Sequence, residues 1–470
     1  MAKTIARLIV RLRRLTPRRL LVLGYLGYAL VGWFLLSQSW TREAADPASS
    51  LDALFVTASA VSTTGLSPLA VGNEFSFVGE LIILALIQAG GLGYMTLGSF
   101  ILIAGMHEIS RAREGVIRTE FNLPESFKPK RFVRNVVLFT FAIEAIGAAA
   151  LFPAFLSADV ASRAATEDIG ASFSGTIHVA WQAIFHSVSA FCTAGFSLFP
   201  DSLEQYQGDV WVLGTIACLS MLGAFGFIVM TDVFRSLTHA VYRITLTSKI
   251  SLTVLTASIL GGAALIFLGD PGIQQVEAER RLLIALFQSM TASTTVGFNT
   301  YHIGELGMAS LFVMLLLMSA GASPAGTGGG LKATTVSALF ATAWSVVRGR
   351  NEITFFGKCI PAIRLHAAFA SLTFYLVLLG VGTYLLLLTE RRQDNGDVPF
   401  RDIVFEATSA IGTVGLSRGI TGDLTDLGKL IIVVLMLAGR IGPMTLGLAL
   451  LSFAPRPTGS DHHAEEDVAV

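Results

Sequence analysis

The sequence predicts an all-α polytopic membrane protein made of four similar units in series. Two observations predict this class, the composition and the recurrence of one short motif. Of the 470 residues, 53% are hydrophobic and only 14% are charged, which is too apolar for a soluble protein of several domains. The motif ends in Thr-x-Gly and occurs four times along the chain at comparable spacing, which is typical of internal repeats.

Apolar stretches long enough to cross the membrane occur two to a unit. A helix needs about 20 mostly apolar residues to span roughly 30 Å of hydrocarbon. Such stretches lie near residues 20–38, 81–104, 135–156, 211–230, 250–269, 307–331, 367–389 and 430–452. The sequence therefore predicts eight transmembrane helices, with each Thr-x-Gly motif between the two spans of its unit.

The charges along the chain orient these spans. Lys and Arg together number 33, as do Asp and Glu, so the net charge indicates no partner. The basic residues concentrate in residues 1–19, 106–134, 235–249 and 346–364. The positive-inside rule places these segments, and both termini, in the cytoplasm. Acidic residues favour the outer side, where an acidic vestibule would concentrate cations. Residues 1–19 are expected to form a short basic helix on the inner membrane surface.

The repeated motif is clearest in its third copy, which runs from Phe287 to Gly297. Every copy has Phe ten residues before the glycine, Ser or Thr six before it and Ala five before it. The glycines close the triplets Thr63-Thr64-Gly65, Thr193-Ala194-Gly195, Thr295-Val296-Gly297 and Thr413-Val414-Gly415. A single triplet could be no more than a glycine-terminated helix C-cap. Four aligned copies favour a shared role.

Four such loops suit the passage of an ion. An ion that crosses a membrane must exchange its water shell for fixed oxygen atoms, and rings of backbone carbonyls can provide that shell. Glycine permits backbone angles that a side chain would forbid, so the carbonyls can follow one another in a row. The twelve triplet residues are therefore predicted to form an ion-selectivity filter.

The second span of each unit carries another glycine, 24 to 28 residues after the filter glycine. These glycines are Gly90, Gly223, Gly321 and Gly439. In the third unit the stretch from Gly321 to Lys332 is too rich in Gly and Pro for an unbroken helix. Irregular backbone at membrane depth is tolerated only where it is buried in protein or lines a water-filled cavity. We expect this break to face the pore.

The break and one arginine form the predicted gate. Its residues are Gly321, Pro324, Gly326, Thr327, Gly328, Gly329, Gly330, Lys332 and Arg440. A charge at membrane depth costs about 2.5–3.5 kcal/mol and needs a partner or an aqueous face. Arg440 could donate to carbonyls freed by the break, or repel an ion on its path, whereas Lys332 could instead reach the inner interface. Glu144, midway along a first span, is either a structural hydrogen-bonding group or an ion site.

These residues resemble those of the Trk/Ktr/HKT superfamily of potassium transporters. The resemblance covers the four Thr-x-Gly loops, the stretch Ser323–Lys332 and the segment Gly439–Thr445 of the last span. It implies four M1–P–M2 pore-loop repeats around a central pore with pseudo-fourfold symmetry. The first span begins about twenty residues into the chain, so the chain resembles a Ktr-type membrane subunit, which implies potassium uptake across the inner membrane of a bacterium.

The resemblance also implies partners and ions. It implies K+ at the filter residues, a homodimer with one pore in each protomer, and a cytosolic nucleotide-binding (RCK-type) regulatory subunit beneath it. The lipid bilayer is a further expected partner, and no nucleic acid is expected. No cofactor is expected beyond the transported K+, with Na+ as a candidate activator or co-ion.

The expected division of the chain follows the units. It comprises a basic cytoplasmic segment 1–19, repeats 20–105, 132–235, 248–345 with the intramembrane loop 321–332, and 366–453, and a cytoplasmic tail 454–470. A sodium-permeable or sodium-coupled member of the same family is an alternative. A secondary transporter with broken helices is another, but it would predict inverted pairs of repeats. No paired carboxylates, nucleophile with a base, or metal cluster suggests an enzyme.

Overall fold

The computed structural model describes most of the chain. The described residues are 17–43, 49–104, 129–165, 172–238, 243–324, 326–350, 352–391 and 398–442. Most of the predicted basic segment 1–19, most of the cytoplasmic stretch 106–134 and the whole tail 454–470 lie outside them. The described residues are mostly helical, which confirms the all-α part of the predicted class.

Helices follow one another along the chain, with one short hairpin between the third and fourth units. The α-helices are α1 (Pro17–Leu36), α2 (Ser50–Ser62), α3 (Val71–Glu74), α4 (Phe77–Ala104), α5 (Pro129–Ala165), α6 (Ser172–Phe191), α7 (Val210–Thr238), α8 (Leu246–Gly269), α9 (Ala278–Thr294), α10 (Met308–Ser319), α11 (Ala333–Val347), α12 (Ala362–Thr389), α13 (Phe400–Gly412) and α14 (Asp426–Ile441). The 3-10 helices are Ser39–Thr41, Glu204–Tyr206, Ile273–Gln275 and Ile303–Glu305. Strands β1 (Thr354–Phe355) and β2 (Lys358–Cys359) pair antiparallel.

Each unit places a pore helix between its flanking helices. The pore helices are α2, α6, α9 and α13, and each ends in the Thr-x-Gly motif of its unit. The Phe ten residues before each filter glycine is buried in all four, at Phe55, Phe185, Phe287 and Phe405. The repeated sequence thus anchors each pore helix in the core by the same side chain, and burying one such side chain contributes about 1.5–3 kcal/mol.

Three of the second-span glycines let helix and pore helix approach closely. A Cβ atom on Gly90, Gly223 or Gly439 would overlap the carbonyl oxygen of Val61, Phe191 or Ile411, respectively. Each of these carbonyls lies two residues before the filter threonine of the same unit. The contact therefore fixes the height of these three pore helices against their spans, because only glycine leaves room for the carbonyl oxygen. Two further glycines end or bend a helix with a positive φ, Gly226 within α7 and Gly442 after α14.

The outer surface of the helices is apolar, as expected of a protein in lipid. Large side chains such as Leu30, Phe34, Ile146 and Leu268 are more than half exposed. Within the described residues, four helical stretches are long and apolar enough to cross a membrane: Arg134–Ala158, Val210–Thr238, Leu246–Gly269 and Ala362–Thr389. Other predicted spans coincide with shorter apolar helices, among them Val22–Leu36, Phe77–Leu92 and Met308–Ser319. The arrangement of eight spans therefore stays a prediction.

The first and the last unit are in direct contact. Helix α14 packs against both α1 and α2. Lys429 on α14 donates to Asp52 on α2 across 2.7 Å, and both side chains are only 12% exposed. The four units therefore close into a ring rather than forming an open row.

Candidate ion site and the segment beneath it

The four pore helices end in the same backbone conformation. The filter threonines have left-handed φ angles of 50° at Thr63, 50° at Thr193, 59° at Thr295 and 48° at Thr413. The amide of the next residue donates to the carbonyl five residues earlier, in the pairs Thr64–Ser59, Ala194–Ser189, Val296–Thr291 and Val414–Ser409, at 2.8–3.1 Å. These bonds satisfy carbonyls at the helix ends, as Schellman-type ends do. The C-cap considered from the sequence is therefore present, with Thr in the left-handed position.

The glycine that follows also has a positive φ in all four units. The values are 95° at Gly65, 66° at Gly195, 86° at Gly297 and 93° at Gly415. In the first and fourth units the serine six residues earlier accepts the glycine N–H, from Gly65 to Ser59 (3.0 Å) and from Gly415 to Ser409 (3.1 Å). This contact gives a physical reason for the Ser that recurs in the motif.

The four loops meet in a closed ring. A Cβ atom on Gly65 would lie 2.5 Å from the carbonyl oxygen of Ala194 and 3.2 Å from Cα of Gly195. The same relation leads from Gly195 to Val296, from Gly297 to Val414 and from Gly415 back to Thr64. The ring therefore brings the carbonyl groups of the four middle residues together, and side chains at the glycine positions would overlap them.

The threonine side chains of the ring are fully buried. The hydroxyls of Thr63 and Thr413 have no hydrogen-bond partner among the described residues. The hydroxyl of Thr193 lies 2.8 Å from the carbonyl oxygen of Cys192, and that of Thr295 accepts the amide of Gly329 at 3.2 Å. Two buried oxygens at the ring are thus without a proton donor or acceptor in this part of the protein.

A cavity of about 330 Å³ opens on the glycine side of the ring. It is lined by the four filter glycines, by the polar residues two positions after them (Ser67, Ser197, Asn299, Ser417) and by Asp201, Glu204 and His302. Asn299 donates to Glu204 across 2.7 Å. Burial raises the pKa of the Glu204 carboxyl above its usual value. Two acidic side chains therefore lie at the rim of this cavity, in line with the acidic vestibule expected from the sequence.

The chain between α10 and α11 is irregular, as its glycines and proline predict. Its ends lie side by side, because the amide of Leu331 donates to the carbonyl of Ser319 at 3.2 Å and Ala320 pairs with Leu331. The described residues between them form a compact loop. The described residues of the predicted break, 321–324 and 326–332, are non-helical.

This loop packs against the threonine side of the ring, opposite the cavity. The hydroxyl of Thr327 lies 3.0 Å from that of Thr193, and Gly329 donates to Thr295. A Cβ atom on Gly328 would lie 2.6 Å from the hydroxyl of Thr295. The loop therefore hydrogen-bonds to the filter threonines of two units, and a Cβ atom on Gly329 would overlap the hydroxyl of Thr413 in a third, so the glycines of the loop allow that approach.

Arg440 reaches the loop from the fourth unit. Its side chain is 4% exposed, and its guanidinium donates to the carbonyl of Thr327 and, across 2.5 Å, to that of Gly90. Lys332 donates to the carbonyl of Gly328 at 2.5 Å. The contact expected between Arg440 and a carbonyl of the break is present. The gating role of these residues stays a prediction.

Glu144 is buried in a small polar cluster between α4, α5 and the end of α6. It accepts from the side-chain amide of Gln88 at 3.2 Å, and the sulfur of Cys192 lies 3.8 Å from its other oxygen. Of the two roles considered from the sequence, these contacts favour the structural hydrogen-bonding group.

Three side chains behind the ring were not singled out from the sequence. His186, Gln288 and Glu406 lie nine residues before the filter glycine of units two, three and four, and all are fully buried. Each hydrogen-bonds to the stretch that follows its own filter glycine. The signal in the sequence is a position that is polar in three copies out of four, and it is weak because the residue type differs in each.

Comparison with known proteins decides the family. The profile of the TrkH family, described as cation transport protein, matches residues 31–458. The chain belongs to the TrkH family of cation transport proteins. The resemblance to the Trk/Ktr group stated from the motifs is therefore confirmed.

Relatives of this TrkH-family chain match it over nearly its full length. It is 32% identical over 462 residues to the potassium/sodium uptake protein NtpJ of Enterococcus hirae, covering 97% of each chain. It is 32% identical over 466 residues to the Ktr system potassium uptake protein B of Bacillus subtilis, covering 98% of each. The corresponding protein of Vibrio alginolyticus is 31% identical, over 94% of this chain and 92% of its own.

A solved structure shows the same fold. The potassium transporter TrkH of Vibrio parahaemolyticus matches with a TM-score of 0.67 at 20% sequence identity, over 92% of this chain and 85% of its own. The family match and the full-length relatives together show that this TrkH-family chain is an integral membrane protein of a cation uptake system. Members of this family are ion transporters rather than enzymes, as the sequence suggested.

Proposed function

We propose that this chain is the ion-translocating pore subunit of a Ktr/Trk-type system and takes up K+ through the ring of four Thr-x-Gly loops. The closed ring itself carries the proposal, because four loops from four units bring their backbone carbonyls to one place. Relatives that match nearly the whole chain are named as potassium uptake proteins, which supports K+ as the ion.

The chemistry of the ring suits a dehydrated cation. The carbonyls of Thr64, Ala194, Val296 and Val414 supply oxygen ligands, and the threonine hydroxyls supply a further layer. An unsatisfied buried hydroxyl costs about 1–3 kcal/mol, so the unpaired hydroxyls of Thr63 and Thr413 would gain from coordinating a cation. The acidic rim of the outer cavity would raise the local cation concentration before entry.

The loop from Gly321 to Lys332 is the proposed gate. It lies across the threonine side of the ring, where an ion would leave the filter, and Arg440 ties it to two other units. Opening requires the loop to move away from Thr193 and Thr295, which breaks these hydrogen bonds. The remaining gate residues, Pro324, Gly326 and Gly330 among them, provide the irregular backbone of the loop.

The finer arrangement rests on the sequence and on the relatives. We propose eight spans in four parallel repeats with both termini cytoplasmic, a homodimer, and a separate cytosolic nucleotide-binding subunit of the RCK type. The relatives named as part of a "Ktr system" support a partner subunit. The ring places four units in equivalent positions, which favours parallel repeats over the inverted pairs of a secondary transporter.

A sodium-permeable or sodium-coupled transporter is the second candidate. One relative, 32% identical over 97% of this chain, is named a potassium/sodium uptake protein, and this favours it specifically. In that case Na+ would act as a co-ion or an activator.

Uptake of rubidium and of sodium by purified protein in liposomes tests both candidates. We expect rubidium, as a potassium analogue, to enter faster than sodium, and the chain to restore growth of a potassium-uptake-deficient bacterium. Equal fluxes of the two ions would instead support the sodium-permeable alternative. If folded protein takes up neither rubidium nor sodium, the proposed pore is refuted.

A further inference from the structure

In the second and fourth units, a side chain of the pore helix hydrogen-bonds to the turn that follows the filter glycine. The residue two positions after the glycine is a serine, and the pore helix reaches it with a buried polar side chain. In the second unit the Nε2 atom of His186 lies 2.9 Å from the hydroxyl of Ser197. In the fourth unit the hydroxyl of Ser417 donates to Glu406 across 2.8 Å. The residue nine positions before the filter glycine thus makes the same connection in both units, through an imidazole in one and a carboxylate in the other.

Each of these serines also shapes its turn. Ser197 accepts the amide of Phe199 at 2.9 Å, and Ser417 accepts the amide of Gly419 at 3.0 Å. Such a hydroxyl fixes the backbone two residues further on. A side chain that holds the serine therefore also holds the turn, and the carbonyl of the filter glycine lies at its start.

The two holding groups are themselves fixed. The Nδ1 atom of His186 lies 2.8 Å from the carbonyl oxygen of Gln182, and the imidazole stacks on Phe199 with centroids 4.5 Å apart. A carbonyl only accepts, so the proton is on Nδ1 and Nε2 accepts from Ser197. Glu406 is fully buried, and its second oxygen accepts from the hydroxyl of Thr421.

The first unit lacks this connection and the third makes a variant of it. In the third unit the amide of Gln288 donates to the carbonyl of Tyr301 at 3.2 Å. In the first unit the equivalent residue is Val56, and Ser67 donates to the carbonyl of Leu69 instead. The side chain nine residues before the filter glycine therefore ties three quadrants of the ring to their pore helices, whereas the first unit keeps only the hydrogen bond from Gly65 to Ser59.

We propose that Glu406 and His186 are positioning residues that set the ion preference of the ring by holding Ser417 and Ser197. This inference rests on the proposed function, since it concerns the same ring. A filter distinguishes K+ from the smaller Na+ only as far as its oxygens keep their positions or their number as the ion enters. A turn that has lost this hydrogen bond to its pore helix can follow the smaller ion inward. Its quadrant of the ring would then discriminate less between K+ and Na+.

The decisive variant is Glu406→Val, which gives the fourth unit the residue that the first unit has. The rubidium-to-sodium uptake ratio should fall roughly two- to tenfold, the range that one buried hydrogen bond spans. Glu406→Gln should keep most of the ratio, because its amide can still accept from Ser417 and donate to Thr421. Val56→Ala removes packing at the equivalent position where no such connection exists, and it should leave the ratio unchanged.

His186→Phe tests the other unit independently. Phenylalanine keeps an aromatic ring against Phe199 but cannot accept from Ser197, so the ratio should fall in the same direction. This variant decides the question if Glu406→Val does not yield folded protein. An unchanged ratio in both Glu406→Val and His186→Phe, or an equal loss in Glu406→Gln and Glu406→Val, would overturn the proposal.

Ion binding is measured separately from transport, so that the proposed pore and the proposed positioning role are tested independently. The midpoint of thermal unfolding should be higher in potassium than in sodium for the wild type, because a bound ligand stabilises the folded state. Glu406→Val should reduce that difference while Val56→Ala keeps it. A wild type without uptake but with this pattern would refute the pore and retain the positioning role. If the difference is the same in Glu406→Val and the wild type, the positioning role is wrong even where uptake occurs.

Discussion

The filter threonines combine an unusual backbone with a buried hydroxyl. A non-glycine residue in the left-handed region costs about 1–2 kcal/mol, and the protein has accepted this at Thr63, Thr193, Thr295 and Thr413. Such strain is typical of functional sites, where the surrounding structure over-determines the backbone. Here it turns the chain from each pore helix into the ring, and each hydroxyl either faces the loop from Gly321 to Lys332 or has no hydrogen-bond partner among the described residues.

Replacing Gly65 by serine should narrow the preference for potassium over sodium. Its φ of 95° and the 2.5 Å from a new Cβ to the carbonyl of Ala194 mean that the neighbouring loop must shift. Rubidium and sodium fluxes measured on one liposome preparation give the ratio. Gly27→Ser is the matched control, because nothing lies within 4 Å of a Cβ there. A ratio equal to that of the control would contradict the prediction.

Removing the guanidinium in Arg440→Ala should raise rubidium flux at unchanged selectivity. Hydrogen bonds to charged groups contribute about 1.5–3 kcal/mol, so losing the one to Thr327 favours the open loop by roughly tenfold or more. The carbonyl of Gly90 also loses its donor, so less protein is expected to fold. Flux is therefore measured per folded protein, with the exposed Arg348→Ala as a control. A flux at or below that of Arg348→Ala would contradict the proposal that Arg440 holds the loop closed.

The sequence predicted a shared role for the four Thr-x-Gly triplets because their spacing recurs in four copies, and the structure brings these triplets into one ring. It did not predict Glu406 or His186, because their register is shared but their chemistry is not. A motif search aligns residue types, whereas the contact needs only an acceptor at that height of the pore helix. Val56 in the first unit further hides the pattern.

The loop from Gly321 to Lys332 is the element in which the third unit departs from the pseudo-fourfold repeat. Its irregularity followed from its glycines and Pro324, but its position against the ring did not. Thr193 and Thr327 are 134 residues apart, and no local pattern reports a contact over that separation. The close approach of Gly328 and Gly329 to filter threonines became visible only in the fold.

Deleting Gly326 through Gly330 should raise rubidium flux and leave the ratio over sodium unchanged. The deletion removes the contacts to Thr193 and Thr295 and shortens the obstruction, while the four filter loops keep their sequence. Flux and ratio are taken from protein that elutes from a sizing column in detergent at the same volume as the wild type. If the deletion leaves the flux unchanged or lowers it, the loop is a structural helix break and the gate is elsewhere.

At the scale of the whole molecule, regulation should come from outside the chain. The predicted cytoplasmic segments between units, such as 106–134 and 346–364, are far shorter than the roughly 50–200 residues of a typical domain. Purified alone in liposomes, the protein should therefore show the same rubidium flux with ATP, with ADP and without nucleotide. A nucleotide response of this subunit by itself would show a sensor within the chain.

The pair Asp52–Lys429 joins residues 377 positions apart, and Gly415 meets Thr64 across a similar interval. Contacts of such separation make folding slow, because the intervening chain must be ordered first. During synthesis the first pore helix emerges hundreds of residues before the helix that completes its surroundings. Until then Asp52 is a carboxylate without its cation, so the growing chain carries an unfinished edge through most of translation. A chain that stops short of the fourth unit would therefore leave Asp52 and the carbonyl of Thr64 without the partners that close the ring.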